Sequence, residues 1–357
     1  MEPRVSAIVG ATVLAGRELT EIRDAVVVIV GNSIDAVGGA AETAVPDGAD
    51  VIDAGGQTVI PGFIDAHVHI GFYDPSEVLH GGVTSVRDLA WPPDRIEPLV
   101  AAARADDFDG PTILAAGPML TAPGGYPTRA AWAPAGTGLE VASPDDAGAA
   151  VARVAEMDAV IVKVALNPAA GPVLARDTLE AIVNAAHERG LKVTGHVHGL
   201  DELHKALDAG MDELAHMLMS DEVIPPETIQ RMVAAGMVIV PTLSVFGGRS
   251  ATTAIANLAS FLAAGGRVVY GTDLGNEGPR PGIDPTEVAA MAAAGMTGRE
   301  IIRAATTGSA DWLGLDRTGA IEPGYFADLV IVDGDPGAIP EVLTDVVAVW
   351  RRGVRAW

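Results

Sequence analysis

The 357-residue sequence predicts an α/β fold built on a (β/α)8 barrel, and three observations carry that expectation. Short apolar runs alternate with Ala-rich helical stretches through the middle of the chain. Most of them recur at roughly 20–30 residues, the repeat of a βα unit, and eight such units fill the length of a barrel. The short apolar strands also suit a parallel sheet buried on both faces. A doubly wound open sheet shows the same alternation; the count of eight favours the barrel.

In order, the strand candidates are VIPGFIDAH, GVTSVRD, TILAAG, AVIVKVAL, LKVTGHVHG, DELAHM, MVIVPTL and RVVYGTD. Helical stretches between them include PDDAGAAVARVAE, RDTLEAIVNAAHERG, DELHKALDAG and PETIQRMVAAG. Two links are irregular. The one after His69 is brief, which abbreviates the first βα unit. The one after TILAAG is long and rich in Gly and Pro. This 118–140 loop lies where strands end, so it is a candidate active-site loop or lid. Outside the barrel, VSAIVGATVLAG, AVVVIVGNSIDAVG and ADVIDAGGQTVI read as Val/Ile-rich β segments, and GAIEPGYFADLVIVDGD and DVVAVWRRGVRAW have the same character.

Composition narrows the function. With 49% hydrophobic and 20% charged residues, the chain suits one large globular domain plus a smaller one. It has no cysteine, which excludes disulfides, thiolate zinc sites and cysteine nucleophiles. A net charge of −24 leaves no basic footprint for nucleic acid and disfavours anionic membranes. The acidity fits either a saline habitat or a solubility strategy. VSAIVGATVLAG follows Met-Glu-Pro-Arg without a strongly basic leader and is too short to cross a bilayer. We read it as a strand and the protein as cytoplasmic.

The unusual residues collect at predicted C-terminal strand ends, the face that carries chemistry in a barrel. His67 and His69 close strand 1 in PGFIDAHVHI, where i and i+2 share a face and two imidazoles can share one metal ion. Two solvated histidines at a strand end are the bland alternative. Lys163 lies in strand 4, His196 and His198 end strand 5, His216 ends strand 6 and Asp273 ends strand 8. Singly, His196 can be a core histidine, His216 a helix cap and Asp273 a turn residue.

Lys163 is harder to dismiss. It is one of three lysines and sits between Val-Ile-Val and Val-Ala-Leu, where an unpartnered ammonium is costly. It either snorkels out or reacts with CO2 to give an anionic carbamate that can bridge two cations. With that conversion the set fits a two-metal centre. His67, His69 and Asp273 hold one ion, His196 and His216 the other, and carbamylated Lys163 and a hydroxide bridge them. Imidazole and carboxylate ligands suit zinc, with manganese, cobalt or iron as substitutes. Paired cations lower the pKa of a bridging water.

Taken in order, PGFIDAHVH, GVTSVRDL, VKV, GHVHG, ELAHM, GTDLG, AGMTGREIIRAATTGSADWLGL and GAIEPGYFADLVIVDGDP resemble the amidohydrolase superfamily. The resemblance is to its imidazolonepropionase-like, metal-dependent peptidase-like (Xaa-Pro dipeptidase-like) branch, and it spans nearly the whole chain. It implies a small β-sandwich composed of 1–60 and 318–357 beside a barrel over 61–317. It supports carbamylation of Lys163. It also implies hydrolysis of an amide C–N bond of a small molecule or dipeptide-like substrate, by attack of the bridging hydroxide. Asp273 would act as general base and then acid, and His198 would hydrogen-bond the substrate carbonyl or oxyanion.

Tyr126 and Arg129 in the long loop and Arg280 after strand 8 are candidates for a substrate carboxylate. Asp65 and Asp88 are candidate orienters of the ligands, and His80 reads as structural or exposed. Relatives often oligomerise, so a homo-oligomer is a further expectation. Peptidase-like relatives often carry Gly-Gly-His-Gly where this chain has Gly124-Gly125-Tyr126-Pro127. A lactonase, esterase or phosphotriesterase shares the binuclear centre. A deaminase or mononuclear cyclic-amide hydrolase does not need Lys163, and His196-Val-His198 lacks the deaminase H-x-x-E spacing. A non-catalytic scaffold has no use for six filled ligand positions.

Overall fold

A computed structural model of the chain describes residues 3–357. The first five strands are β1 (Val5–Ala15), β2 (Thr20–Val30), β3 (Ser33–Gly39), β4 (Asp50–Asp53) and β5 (Thr58–Pro61). The chain then alternates between strands and helices through β6 (Phe63–Val68), α1 (Pro75–His80), β7 (Val83–Asp88), α2 (Pro93–Ala102) and β8 (Thr112–Ala115). Next come β9 (Met119–Thr121), β10 (Gly138–Glu140), α3 (Pro144–Ala155), β11 (Ile161–Leu166), α4 (Arg176–His187), β12 (Lys192–Val197) and α5 (Leu200–Ala209). They are followed by β13 (Glu213–Leu214), α6 (Pro226–Ala234), β14 (Val238–Ile239), α7 (Gly248–Ala263) and β15 (Arg267–Val268). Helices α8 (Pro285–Ala293), α9 (Gly298–Ala305) and α10 (Thr307–Leu313) precede β16 (Leu329–Val332), β17 (Val346–Arg351) and β18 (Val354–Arg355).

The protein is α/β with parallel sheets. β6, β7 and β8 form a parallel sheet, and β9 to β15 form a second with the order β10-β9-β11-β12-β13-β14-β15. The expected single ring of eight strands is therefore divided into two ladders. Backbone hydrogen bonds still cross between them. Ala66 donates to Tyr270, and Val160 donates to Ala115. Residues 66–69 and 270–274 are further stitched by Asp273 N to His67 O (2.7 Å) and His69 N to Leu274 O (2.6 Å).

Strands β7 and β11 are buried at every position; β11 accordingly reads as an apolar run broken only by Lys163, whereas β7 buries Thr84, Ser85, Arg87 and Asp88. α1 has only six residues, as the brief link after His69 predicts, and Asp74 caps it by accepting from Ser76 N. Two short strands, β9 and β10, lie within the long loop. Their Gly/Pro-rich surroundings conceal them in the sequence.

The terminal strands form one eight-stranded sheet, with the main order β18-β17-β16-β5-β1-β2-β3 and β4 paired to β1. β1 joins it together: its first half pairs β4 and its second half pairs β5. The apolar segment near the start is thus a strand. The sheet has its own core, including Ile8, Val27, Ile29, Ile34, Leu329 and Trp350. Among the described residues no helix is long and apolar enough to cross a membrane.

Candidate metal centre

His67 and His69 are fixed from both sides by buried carboxylates. Asp65 accepts from His67 N (3.0 Å), Thr272 N (3.2 Å) and Thr272 Oγ1 (2.7 Å), so it ties β6 to the residue before Asp273. Asp88 accepts from Ile70 N and Ala90 N, just beyond His69. Asp273 itself has φ +58, a left-handed conformation that is strained for a side chain with a Cβ and is characteristic of functional sites. Gly275 follows at φ +128, where an added methyl would lie 2.7 Å from His69 Cβ. Only glycine lets the chain pass that close to the histidine.

The ring of His67 has a defined tautomer. Its Nδ1 is 2.7 Å from Ala215 O, and a carbonyl can only accept, so Nδ1 carries the proton. Nε2 is left with a bare lone pair. It is buried without a hydrogen-bond partner and sits 3.2 Å from Asp273 Oδ1. His69 Nε2 is also 3.2 Å from that oxygen. A lone pair facing a carboxylate oxygen repels it, and a cation between them removes the repulsion. Ligand atoms of His67, His69 and Asp273 all lie within 4.8 Å of one another.

The titration behaviour points the same way. Burial, with the charges of Lys163 and neighbouring histidines, holds His67 and His216 far below the usual imidazole range, and His196 is pushed down to about 3. All three stay neutral, the form that binds metal. His69 differs: burial lowers it, but the hydrogen bond and charge of Asp273 outweigh burial and raise it.

Lys163 Nζ is buried and makes no hydrogen bond. Burial, with Arg87 acting in the same direction, lowers its pKa to about 7 against the pull of Asp273 and Glu213. Burial thus favours the neutral amine over an ordinary lysine's ammonium, and the neutral amine is the form that reacts with CO2.

His196 and His216 complete the cluster, with ring centroids 4.9 Å apart, and His216 lies 4.6 Å from His67. Thr242 Oγ1, 2.9 Å from His216 Nδ1, sets one ring, and the Asn167 amide, 3.2 Å from His196 Nε2, sets the other. Six residues carried on or just after five strands thereby surround one space, and its orphaned buried nitrogens and oxygen fit a bound cation.

Residues 58–356 match the amidohydrolase family. The chain belongs to the amidohydrolase family. An uncharacterized protein of Mycobacterium tuberculosis is 30% identical over 330 residues, covering 82% of this chain and 84% of that protein. Among solved structures, a Xaa-Pro dipeptidase with methionine bound in its active site superposes with a TM-score of 0.85 at 24% identity, over 98% of this chain and 99% of that one. A prolidase complexed with N-methylphosphonate-L-proline gives 0.81 at 23% identity, over 98% and 99%. At these identities the likeness is one of fold. Family membership makes the protein a metal-dependent hydrolase.

The amidohydrolase site opens into a cavity of about 460 Å³ lined by the six clustered residues and by Phe72, Tyr126, Trp132, Asn167, Asn276 and Glu277, among others. Of the candidates for substrate contact, only Tyr126 lines it. Burial, with the charge of Asp273, pushes its phenol up to about 12, so it remains a neutral donor. His198 is half-buried just past β12, with its amide donating to Leu166 O, and is not part of the lining. Arg129 and Arg280 are exposed and also lie outside the lining. His80 pairs with Asp109 and stacks on Trp357, away from the site.

Sequence reasoning missed Asn167, Trp132 and Glu277. Asn167 was findable because it directly follows the strand that carries Lys163. Trp132 is a rare aromatic in a loop already suspected of function. Glu277 carries no sequence signal.

A buried ion pair lies below the cluster. Arg87 on β7 reaches Glu213 on β13 at 2.6 Å, and its Nε donates to Ala66 O. Trp312 of α10 donates to the other oxygen of Glu213. The pair spans the two parallel sheets and holds them about a common interior.

Proposed function

We propose that this amidohydrolase cleaves an amide C–N bond of a small molecule or dipeptide-like substrate with the help of two divalent cations, zinc in the first instance. The observation that supports it most is the bare lone pair of buried His67 Nε2 set against Asp273 Oδ1. His67, His69 and Asp273 would hold one ion and His196 and His216 the other, with Lys163 as a carbamate shared between them. Such ions supply a water of lowered pKa and polarise the scissile carbonyl.

The protein's own groups do the rest. Asp273 takes a proton from the attacking water and returns it to the leaving nitrogen. Asp65 holds the backbone of His67 and Thr272 so that Asp273 keeps its strained geometry. Tyr126 donates its phenolic hydrogen to the substrate. We assign substrate contact to Tyr126 rather than to His198, Arg129 or Arg280, because those three do not line the cavity. The two parallel sheets would be the halves of a (β/α)8 barrel over 61–317, with 1–60 and 318–357 as the smaller sandwich-like unit. We keep the cytoplasm as its location.

A panel of N-acyl amides and dipeptides, lactones and phosphotriesters, assayed with zinc-loaded protein, tests the reading. Amides should be the best substrates, and Asp273→Asn should lower their turnover by roughly 10²–10⁴-fold. Faster turnover of lactones or triesters, or no amide turnover, would overturn it.

A further inference from the structure

The cavity mouth has a chemistry that bears on what enters it. This inference rests on the amide-hydrolase reading and narrows its substrate class. The chain is poor in aromatics, with six Phe, four Tyr and five Trp in all. Three of them line the cavity as one wall, with centroids 6.2 Å apart for Phe72 and Trp132 and 6.1 Å for Tyr126 and Trp132, and the buried Trp91 backs Phe72 at 4.9 Å. Trp132 also rests 5.5 Å from His69, and Tyr126 5.2 Å from His196. The wall therefore runs from the ligand histidines outward.

The exposed charge in the cavity lining is negative. Glu277 lines the mouth beside Asn276, and its carboxylate is exposed. Apart from the buried floor residue Lys163, no lysine or arginine lines the cavity. A C-terminal amino-acid carboxylate, held with its amide bond at the ligand cluster, would reach a region with no cation to receive it. An ammonium there meets both a carboxylate and aromatic faces, which attract cations.

We propose that the substrate's non-reacting end is aromatic or apolar and carries a cationic or neutral group, and that a free carboxylate at that end is rejected.

Para-substituted benzohydroxamates test this without needing turnover, since the hydroxamate anchors on the metals and the substituent points outward. Binding of the aminomethyl, carbamoyl and carboxylate compounds is measured by calorimetry on zinc-loaded full-length protein. The aminomethyl compound should bind about tenfold more tightly than the carboxylate, with the carbamoyl compound between them. Glu277→Gln should shrink that spread to about threefold. Trp132→Ala should weaken all three. Equal or tighter binding of the carboxylate, or an unchanged spread in Glu277→Gln, would overturn the substrate class and leave amide hydrolysis standing. If none of the three binds, the metal centre itself fails, and the substrate class with it.

Discussion

Substituting Arg87 by Met probes the device that joins the two parallel sheets. The Arg87 side chain is 2% exposed and that of Glu213 0%, and they meet at 2.6 Å. Removing the guanidinium leaves Glu213 buried with only the Trp312 N–H as donor, and it frees Ala66 O. Losing one partner of such a pair costs about 3–5 kcal/mol. With a urea m-value of about 3 kcal/mol/M, the unfolding midpoint should fall by about 1 M or more. Glu213→Gln keeps an acceptor for Trp312 and should cost less. The double variant Arg87→Met/Glu213→Gln should recover about 2 kcal/mol relative to the sum of the singles. Urea titrations of the four proteins, all metal-loaded, close the cycle. Single costs below about 1 kcal/mol that add independently would refute the claim that this pair holds the sheets together.

Three further outcomes are expected. Asp65→Asn weakens the acceptor that fixes His67 and Thr272, so metal affinity should drop by about 10–100-fold with circular dichroism unchanged; wild-type affinity would remove Asp65 from the account. Gly275→Ala places a methyl 2.7 Å from His69 Cβ at φ +128, and should lower both metal content and thermal stability; normal loading would show that the turn relaxes freely. Glu287 gives a pH signature, because burial raises its carboxyl from 4.5 to about 8. A carboxyl raised by folding costs nothing below its unfolded pKa and destabilises progressively as pH climbs toward the folded value. Wild type should lose about 3–4 kcal/mol between pH 5 and pH 8 relative to Glu287→Gln, and parallel profiles in urea would contradict this.

Much of the fold was legible because buried parallel strands advertise themselves as apolar runs. AVIVKVAL and LKVTGHVHG became β11 and β12 close to their expected positions, and the more polar GVTSVRD became β7. The candidate ligands were visible for a related reason: a histidine or lysine at the end of an apolar run conflicts with its surroundings. Contacts distant in sequence were invisible. Nothing local marks Arg87 and Glu213 as partners 126 residues apart, or Ala215 O as the acceptor that fixes the His67 tautomer. Loop side chains were the least legible. Arg129 and Arg280 attracted notice by charge alone, yet both are exposed, while Trp132 from the same long loop lines the cavity. The division into two parallel sheets was also hidden, because short strands such as β13 to β15 have the composition of a barrel whether or not their ladders join.

The central claim is a pair of cations that depends on Lys163, and metal content per chain tests it most directly. Wild type and Lys163→Ala are each purified with zinc and bicarbonate, and zinc is measured by elemental analysis. The account predicts close to two ions per wild-type chain and a sharp fall in the variant. About one ion in both proteins would contradict the carbamate-bridged pair.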